Sequence, residues 1–284
     1  MSRKRHPGSR DARAASRHGV PAGRRAPEAP PAHGGEVWIY GLHAAAAALR
    51  NPARKVLRVL GTAEMLARLR DDPEIVAPAL AHAQAVGRHE LDALLGAGAV
   101  HQGIAVQART LAPDLADALD ARADDASLCV MVLDQVTDPQ NVGAILRSAA
   151  AFGAAAVIAP DRGAPEETGA MAKAASGALD AVPYVKGGNL VRQLEELKAL
   201  NIWLVGLDAD APQELSAVDL RGRVALVVGA EGEGLRRLVR ETCDHLARLP
   251  MRGAMESLNV SNAAAVALYE WTRQVAAGTT HTKS

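Results

Sequence analysis

From Ser127 onward the chain alternates short, continuously apolar runs with helix-forming stretches. The runs are "LCVMVLD", "AAVIAP", "AVPYVK", "IWLVGLD" and "VALVVGA"; the stretches around them include "PQNVGAILRSAAAFG", "EETGAMAKAASGA" and "LVRQLEELKAL". A strand that is apolar at every position, rather than every second one, is covered on both faces. Helices between such strands return the chain for parallel pairing. The expected fold is therefore α/β with a mostly parallel sheet over residues 127–277. Ahead of it, residues 36–110 read as a smaller α/β unit: strand Val37–Tyr40, an Ala-rich helix stopped near Asn51-Pro52, strand "KVLRVLGT", helices "AEMLARLR" and "EIVAPALAHAQ", a short strand and helix in "AVGRHELDALLGAG", and strand "GIAVQAR". Residues 111–126 are polar and acidic and read as a helical linker, and 278–284 as a short tail. A length of 284 residues suits two such units, since single cores stop growing near ~250 residues.

The net charge is zero but uneven. Residues 1–35 hold Arg3, Lys4, Arg5, Arg10, Arg13, Arg17, Arg24 and Arg25 against Asp11 and Glu28, eight minus two or +6, which leaves −6 on the rest. So Pro-, Gly- and Arg-rich a segment has too few large apolar residues to fold and reads as a disordered basic tail. Three uses fit it: an arm on nucleic-acid phosphates, a solubilising extension, or an Arg-rich presequence. If it is an arm, deleting residues 1–35 weakens RNA binding and flattens its salt dependence. Aromatic residues are only 2% of the chain, which argues against a base-stacking platform. Cys129 and Cys243 sit in no CxxC or Cys/His cluster, arguing against a zinc site or disulfide scaffold and fitting a reducing, cytoplasmic setting. No apolar stretch approaches the ~18 residues of a membrane span.

Three polar stations punctuate the second unit. In "LDQVTDPQNVGAILRSAAAFG", Asp138-Pro139 is a helix start, and Gly143 lies one turn before Arg147 on the same face. That small residue is expected to leave room for a ligand at the guanidinium; the alternative is an arginine reaching along the helix edge to a carboxylate. In "VALVVGAEGEGL", an apolar strand ends in Gly229, Gly232 and Gly234 with Glu231 and Glu233 between them. Glycines there let backbone approach a ligand at the carboxyl edge of the sheet. The spacing is neither a dinucleotide nor a phosphate-loop fingerprint, and two carboxylates favour a neutral or cationic ligand. The third is "LPMRGAMESLNVSNAAAVALYEW". Ser257, Asn259, Ser261 and Asn262 precede a helix whose apolar face is expected to begin at Val266, and one cap is all that it needs. The surplus is either a decorated capping loop or the wall of a site for a ligand with hydroxyl and amine edges.

Together and in this order, NxGxxxR at Asn141, Gly143 and Arg147, then "VVGAEGEGL", then "LPMxGxxxSLNVSxAxA" resemble the three signature motifs of the SPOUT-class RNA ribose 2′-O-methyltransferases, the SpoU or TrmH family. "YGLHAAAAAL" and "HQGIAV" in the first unit are similar to the large-subunit rRNA guanosine methyltransferases of that family. The resemblance implies a C-terminal SPOUT domain with a deep trefoil knot, an exception to the usual absence of knots. It also implies a preceding L30e-like RNA-binding domain, S-adenosylmethionine as cofactor with no metal, and a homodimer whose active site is completed across the two copies. Carried over by position, Gly229, Leu249 and Leu258, with Gly232, Gly234 and Met251, are the cofactor-binding residues. Arg147, Asn141, Ser257, Asn259 and Glu231 form the catalytic region. The implied substrate is a guanosine in 23S rRNA, naked or in a pre-ribosomal particle. Another rRNA site, tRNA, or a non-catalytic RNA-binding assembly role stay open at this stage, and a nucleotide-dependent oxidoreductase is disfavoured because no glycine turn follows the first strand of the unit.

Overall fold

The computed structural model describes residues 35–75, 77–81, 83–96, 98–253 and 257–280, so the basic segment 1–34 and the residues after 280 lie outside the described residues. The first unit is a four-stranded sheet of β1 (Glu36–Tyr40), β2 (Val56–Gly61), β3 (Ala83–Ala85) and β4 (Ile104–Arg109), in the order β1-β4-β2-β3. β4 is antiparallel to both neighbours, and β2 and β3 are parallel. Its helices are α1 (Leu42–Arg50), α2 (Ala63–Arg70), α3 (Ala77–Leu80) and α4 (Arg88–Leu95). "EIVAPALAHAQ" departs from the expected helix. Only α3 is helical, because Pro78 restricts the residue before it and contributes no backbone donor. Ala83 and Gln84 instead pair with β2 as part of β3.

The linker carries α5 (Leu115–Asp120), capped by Asp114 and pinned by buried Leu119. Seven parallel strands follow: β5 (Leu128–Leu133), β6 (Ala156–Pro160), β7 (Tyr184–Gly187), β8 (Trp203–Leu207), β9 (Gln213–Glu214), β10 (Arg223–Val228) and β11 (His245–Arg248), in the order β7-β6-β5-β10-β8-β11-β9. The helices are α6 (Pro139–Phe152), α7 (Gly169–Ala175), α8 (Leu190–Ala199), α9 (Arg237–Thr242) and α10 (Val260–Thr280). β5 explains the continuous apolar runs. Cys129, Met131 and Leu133 join the cluster that includes α6, α7 and α10, whereas Leu128, Val130 and Val132 join the one that includes α8 and α9. Strands β9 and β11 are short and polar and gave no such signal. After β11 the chain runs through residues 249–259 before α10 packs on α6, β10 and β5, and this return is where the resemblance places the knot.

Helix α10 starts earlier than its apolar composition suggested. Its buried face is Val260, Ala264, Ala267, Leu268 and Trp271, a helical stripe, while Val266 is 44% exposed on the other side.

The two units share their largest buried cluster, which runs from Ile39 and Leu49 to Ile145 and Met171. A buried ion-pair network crosses the same boundary. Arg54, whose side chain is 0% exposed, donates from Nη1 to Glu167 at 2.5 Å and from Nε to Asp180 at 2.8 Å. Asn51 also donates to Asp180, at 3.0 Å, and the Leu111 amide donates to Glu167, at 3.1 Å. The two outer motifs meet at this junction. Gln102 Oε1 of "HQGIAV" accepts from the Leu42 amide of "YGLHAAAAAL" at 3.0 Å, and Lys173 of α7 donates to the Val100 carbonyl at 2.7 Å. Burial lowers the Lys173 pKa, in keeping with its seat between the units.

Candidate cofactor cleft and catalytic groups

The carboxyl ends of β8, β10 and β11 open onto a cleft of about 340 Å³. Gly229, Gly232, Gly234, Leu249, Met251 and Leu258 all line it, together with Glu231 and Ser257. Two of these glycines have different reasons. A Cβ on Gly229 would lie 2.1 Å from the backbone of Gly234, so its smallness serves the loop's own closure, in which the Gly234 amide donates to the Ala230 carbonyl at 3.0 Å. Gly234 needs its positive φ of +67°, which L side chains rarely adopt.

Glu231 is the hub where the three stations meet. Its Oε1 accepts from Asn259 Nδ2 at 2.5 Å, from the Val260 amide at 3.3 Å and from Asn141 Nδ2 at 3.4 Å. Asn259 also donates to Asn141 Oδ1, at 3.1 Å, and its own Oδ1 accepts from the Ser261 amide at 2.9 Å. Asn259 is therefore the N-cap of α10 and, with its other end, a clamp on the starts of α6 and the glycine loop. Asn141 is placed for this by Asp138, which caps α6 by accepting from the Gln140 amide at 2.9 Å. Ser257 stands exposed at the rim.

Arg147 is elsewhere. It lies six residues past Asn141 along α6, about 9 Å at 1.5 Å per residue, and is exposed. It lines a separate groove of about 520 Å³ shared with His43, Arg50 and Arg68 of the first unit. The expected space beneath it is absent: Gly143 is buried at the crossing of α6 with α7, where a Cβ would come within 2.6 Å of Ala174 and of the Met171 carbonyl. This glycine sets a helix–helix distance rather than a ligand's approach.

Several groups around the cleft had no motif to point to them. Asp134, fully buried at the end of β5, accepts from the Arg236 amide at 2.8 Å and from its Nε at 2.6 Å, anchoring the far end of the glycine loop. Asp208 and Asp210 line the cleft beyond β8, with Arg240 bonded to Asp208 at 2.7 Å. The available signal was that "LCVMVLD" and "IWLVGLD" both end in aspartate, where strand ends meet ligands in open α/β sheets. Burial raises the Cys129 thiol and pushes Cys243 up to about 12, and neither cysteine lines the cleft.

The cleft suits a ligand with an apolar ring and cationic groups. Among the described residues of its lining, Asp208, Asp210, Glu231 and Glu233 face Arg240 alone, four carboxylates against one guanidinium. Met251 and Leu258 keep 40% and 38% of their surface exposed at its wall. S-adenosylmethionine, with its adenine, sulfonium and ammonium, matches that donor set.

The class of this molecule, a parallel α/β sheet with an acidic, glycine-edged cleft joined to a smaller α/β unit, comes from the comparisons with known proteins. The profile of the SpoU rRNA Methylase family matches residues 128–269, and that for RNA 2′-O ribose methyltransferase substrate binding matches 38–113; the chain belongs to the SpoU rRNA methylase family. It is 44% identical over 242 residues to the 23S rRNA (guanosine-2′-O-)-methyltransferase RlmB of Xylella fastidiosa, covering 84% of this chain and 96% of that one. Against the protein of the same name from Bordetella pertussis it is 44% identical over 239 residues, covering 83% and 96%. The SpoU methyltransferase AviRb of Streptomyces viridochromogenes, solved in complex with AdoMet, superposes with a TM-score of 0.70 at 25% identity over 84% of this chain and 90% of that chain.

Proposed function

We propose that the protein methylates the ribose 2′-hydroxyl of a guanosine in 23S rRNA, using S-adenosylmethionine. The observation that carries this reading is that Glu231, on the wall of the acidic cleft, is bonded to Asn141 and Asn259 of the other two motifs, in a chain 44% identical to relatives named for that reaction. Residues 36–110 act as the substrate-binding unit, 111–126 as the linker and 127–277 as the methyltransferase unit, in the cytoplasm.

The cofactor, bound in the cleft, supplies an electrophilic methyl group on a sulfonium. The chain's own residues do the rest. Backbone at Gly229, Leu249 and Leu258 lines the adenosine site, and Gly232, Gly234 and Met251 complete its wall. Glu231 holds the starts of α6 and α10 together, which fixes the positions of Asn141, Asn259 and neighbouring Ser257 for orienting the ribose. The guanidinium of Arg147 stabilises the developing 2′-alkoxide while the hydroxyl proton is released to water. Because Arg147 stands apart from its own chain's cleft, the complete site is assembled from two copies, Arg147 of one facing the cleft of the other. Exposed Tyr269 and Val266 on α10, beside α6, supply apolar surface for that contact.

Two experiments test this. Transfer of labelled methyl to an unmodified 23S rRNA transcript, followed by mapping of 2′-O-methyl sites, should give one guanosine; labelling of tRNA instead would redirect the substrate. Mixing Arg147→Ala with Glu231→Ala chains should restore activity that neither has alone, and no restoration would place both residues in one subunit's site.

A further inference from the structure

The groove at Arg147 has a character of its own. It lies between α1 and α2 of the first unit and α6 and α7 of the second. Its charged lining is Arg50, Arg68 and Arg147 against Asp72. Asp72 is already neutralised by Arg50, with which it forms an ion pair that lowers its pKa. The guanidinium groups of Arg68 and Arg147, both exposed, make no hydrogen bond or ion pair among the described residues. The exposed His43 stands with them, and Gly177 brings the groove floor against α1, where a Cβ would lie 3.2 Å from the His43 carbonyl. Two unpaired guanidiniums in one groove, on a chain whose residues after 35 sum to −6, mark an anion path and not general basicity.

We propose that this groove seats the RNA backbone beside the target nucleotide, with Arg68 taking a neighbouring phosphate while Arg147 serves the reacting ribose. The inference rests on the proposed methyl transfer to RNA and adds a residue of the substrate-binding unit that no motif contains. A guanidinium suits the task because its planar fork meets phosphate oxygens in pairs. Such a contact positions the strand and carries no base information, so it acts on affinity and register rather than on the chemical step. Arg68 is thus a positioning residue.

The test uses the full-length protein and an unmodified 23S rRNA transcript, comparing wild type, Arg68→Ala, Arg68→Lys and Arg70→Ala. Arg70 ends the same helix but does not line the groove. RNA binding across a salt series and steady-state methyl transfer are both measured. Arg68→Ala should weaken binding roughly 5–10-fold and make the salt slope shallower by ~0.7–0.9, the value for about one lost phosphate contact. The KM for RNA should rise with kcat nearly unchanged, Arg68→Lys should recover part of the loss, and Arg70→Ala should match wild type. Equal affinity and salt slope for Arg68→Ala and Arg70→Ala would overturn the groove assignment while leaving methyl transfer intact. The opposite result, an Arg68-dependent salt slope in a protein that transfers no methyl group, would keep the groove and remove the proposed activity.

Discussion

The two ends of α6 face opposite kinds of site. At Asn141 every group is engaged: Glu231 gathers three donors, Asn259 bridges two helices, and the cleft lining is acidic. At Arg147 its own guanidinium and that of Arg68 make no ion pair among the described residues, and the lining is basic. A preformed acidic cleft fits a small cationic ligand that must be held in one pose. An open basic groove fits a polyanion that supplies its own rigidity and is read by position. One helix therefore separates the acidic cleft from the basic groove of the same chain.

Four substitutions would break or sharpen that contrast, in descending order of effect. Arg54→Ala removes the ion pairs that hold the groove's two walls together and leaves Glu167 and Asp180 buried without their partner. It should cost about 3–5 kcal/mol of stability by denaturant titration; a loss below 1 kcal/mol would mean that the shared apolar core alone holds the units. Arg147→Ala should lower kcat by about 10²–10³, or ~2.7–4 kcal/mol, with S-adenosylmethionine affinity and melting temperature unchanged. Weakened cofactor binding in that variant would erase the division between the two sites. Glu231→Ala leaves donors of Asn141, Asn259 and Val260 without their acceptor. It should weaken cofactor binding by calorimetry, with ~0.5–1.5 kcal/mol at stake for each lost hydrogen bond, since water can reach the exposed donors. Asn259→Ala loses the cap of α10, worth ~1 kcal/mol in stability, and should also lower cofactor affinity, because the same side chain positions Glu231. A pure stability loss would reduce Asn259 to a cap.

Much of the cleft was legible in the sequence because its residues are local. Gly229, Glu231, Gly232 and Gly234 follow one strand, and Ser257, Leu258 and Asn259 precede one helix, so each cluster is visible as a run of residue types that ordinary turns and caps do not need. Gly143 was misread because the partner that demands a glycine, α7, is about thirty residues away in the chain and leaves no mark beside it. Val266 was misplaced because an Ala-rich helix has a weak apolar stripe, and packing on α6 and β10 selected the face.

By itself the sequence determined the parallel α/β architecture, since strands apolar at every position must be buried on both sides, and it determined the family, through three motifs in order. Only the tertiary structure decided that Glu231 joins those motifs, that Asp208 lines the cleft while Asp134 anchors Arg236 behind it, and that Arg147 shares a groove with Arg68 rather than the cleft with Glu231. Short hydrogen bonds and like-charged neighbours depend on which distant segments the fold brings within a few ångströms, and spacing along the chain carries no record of that.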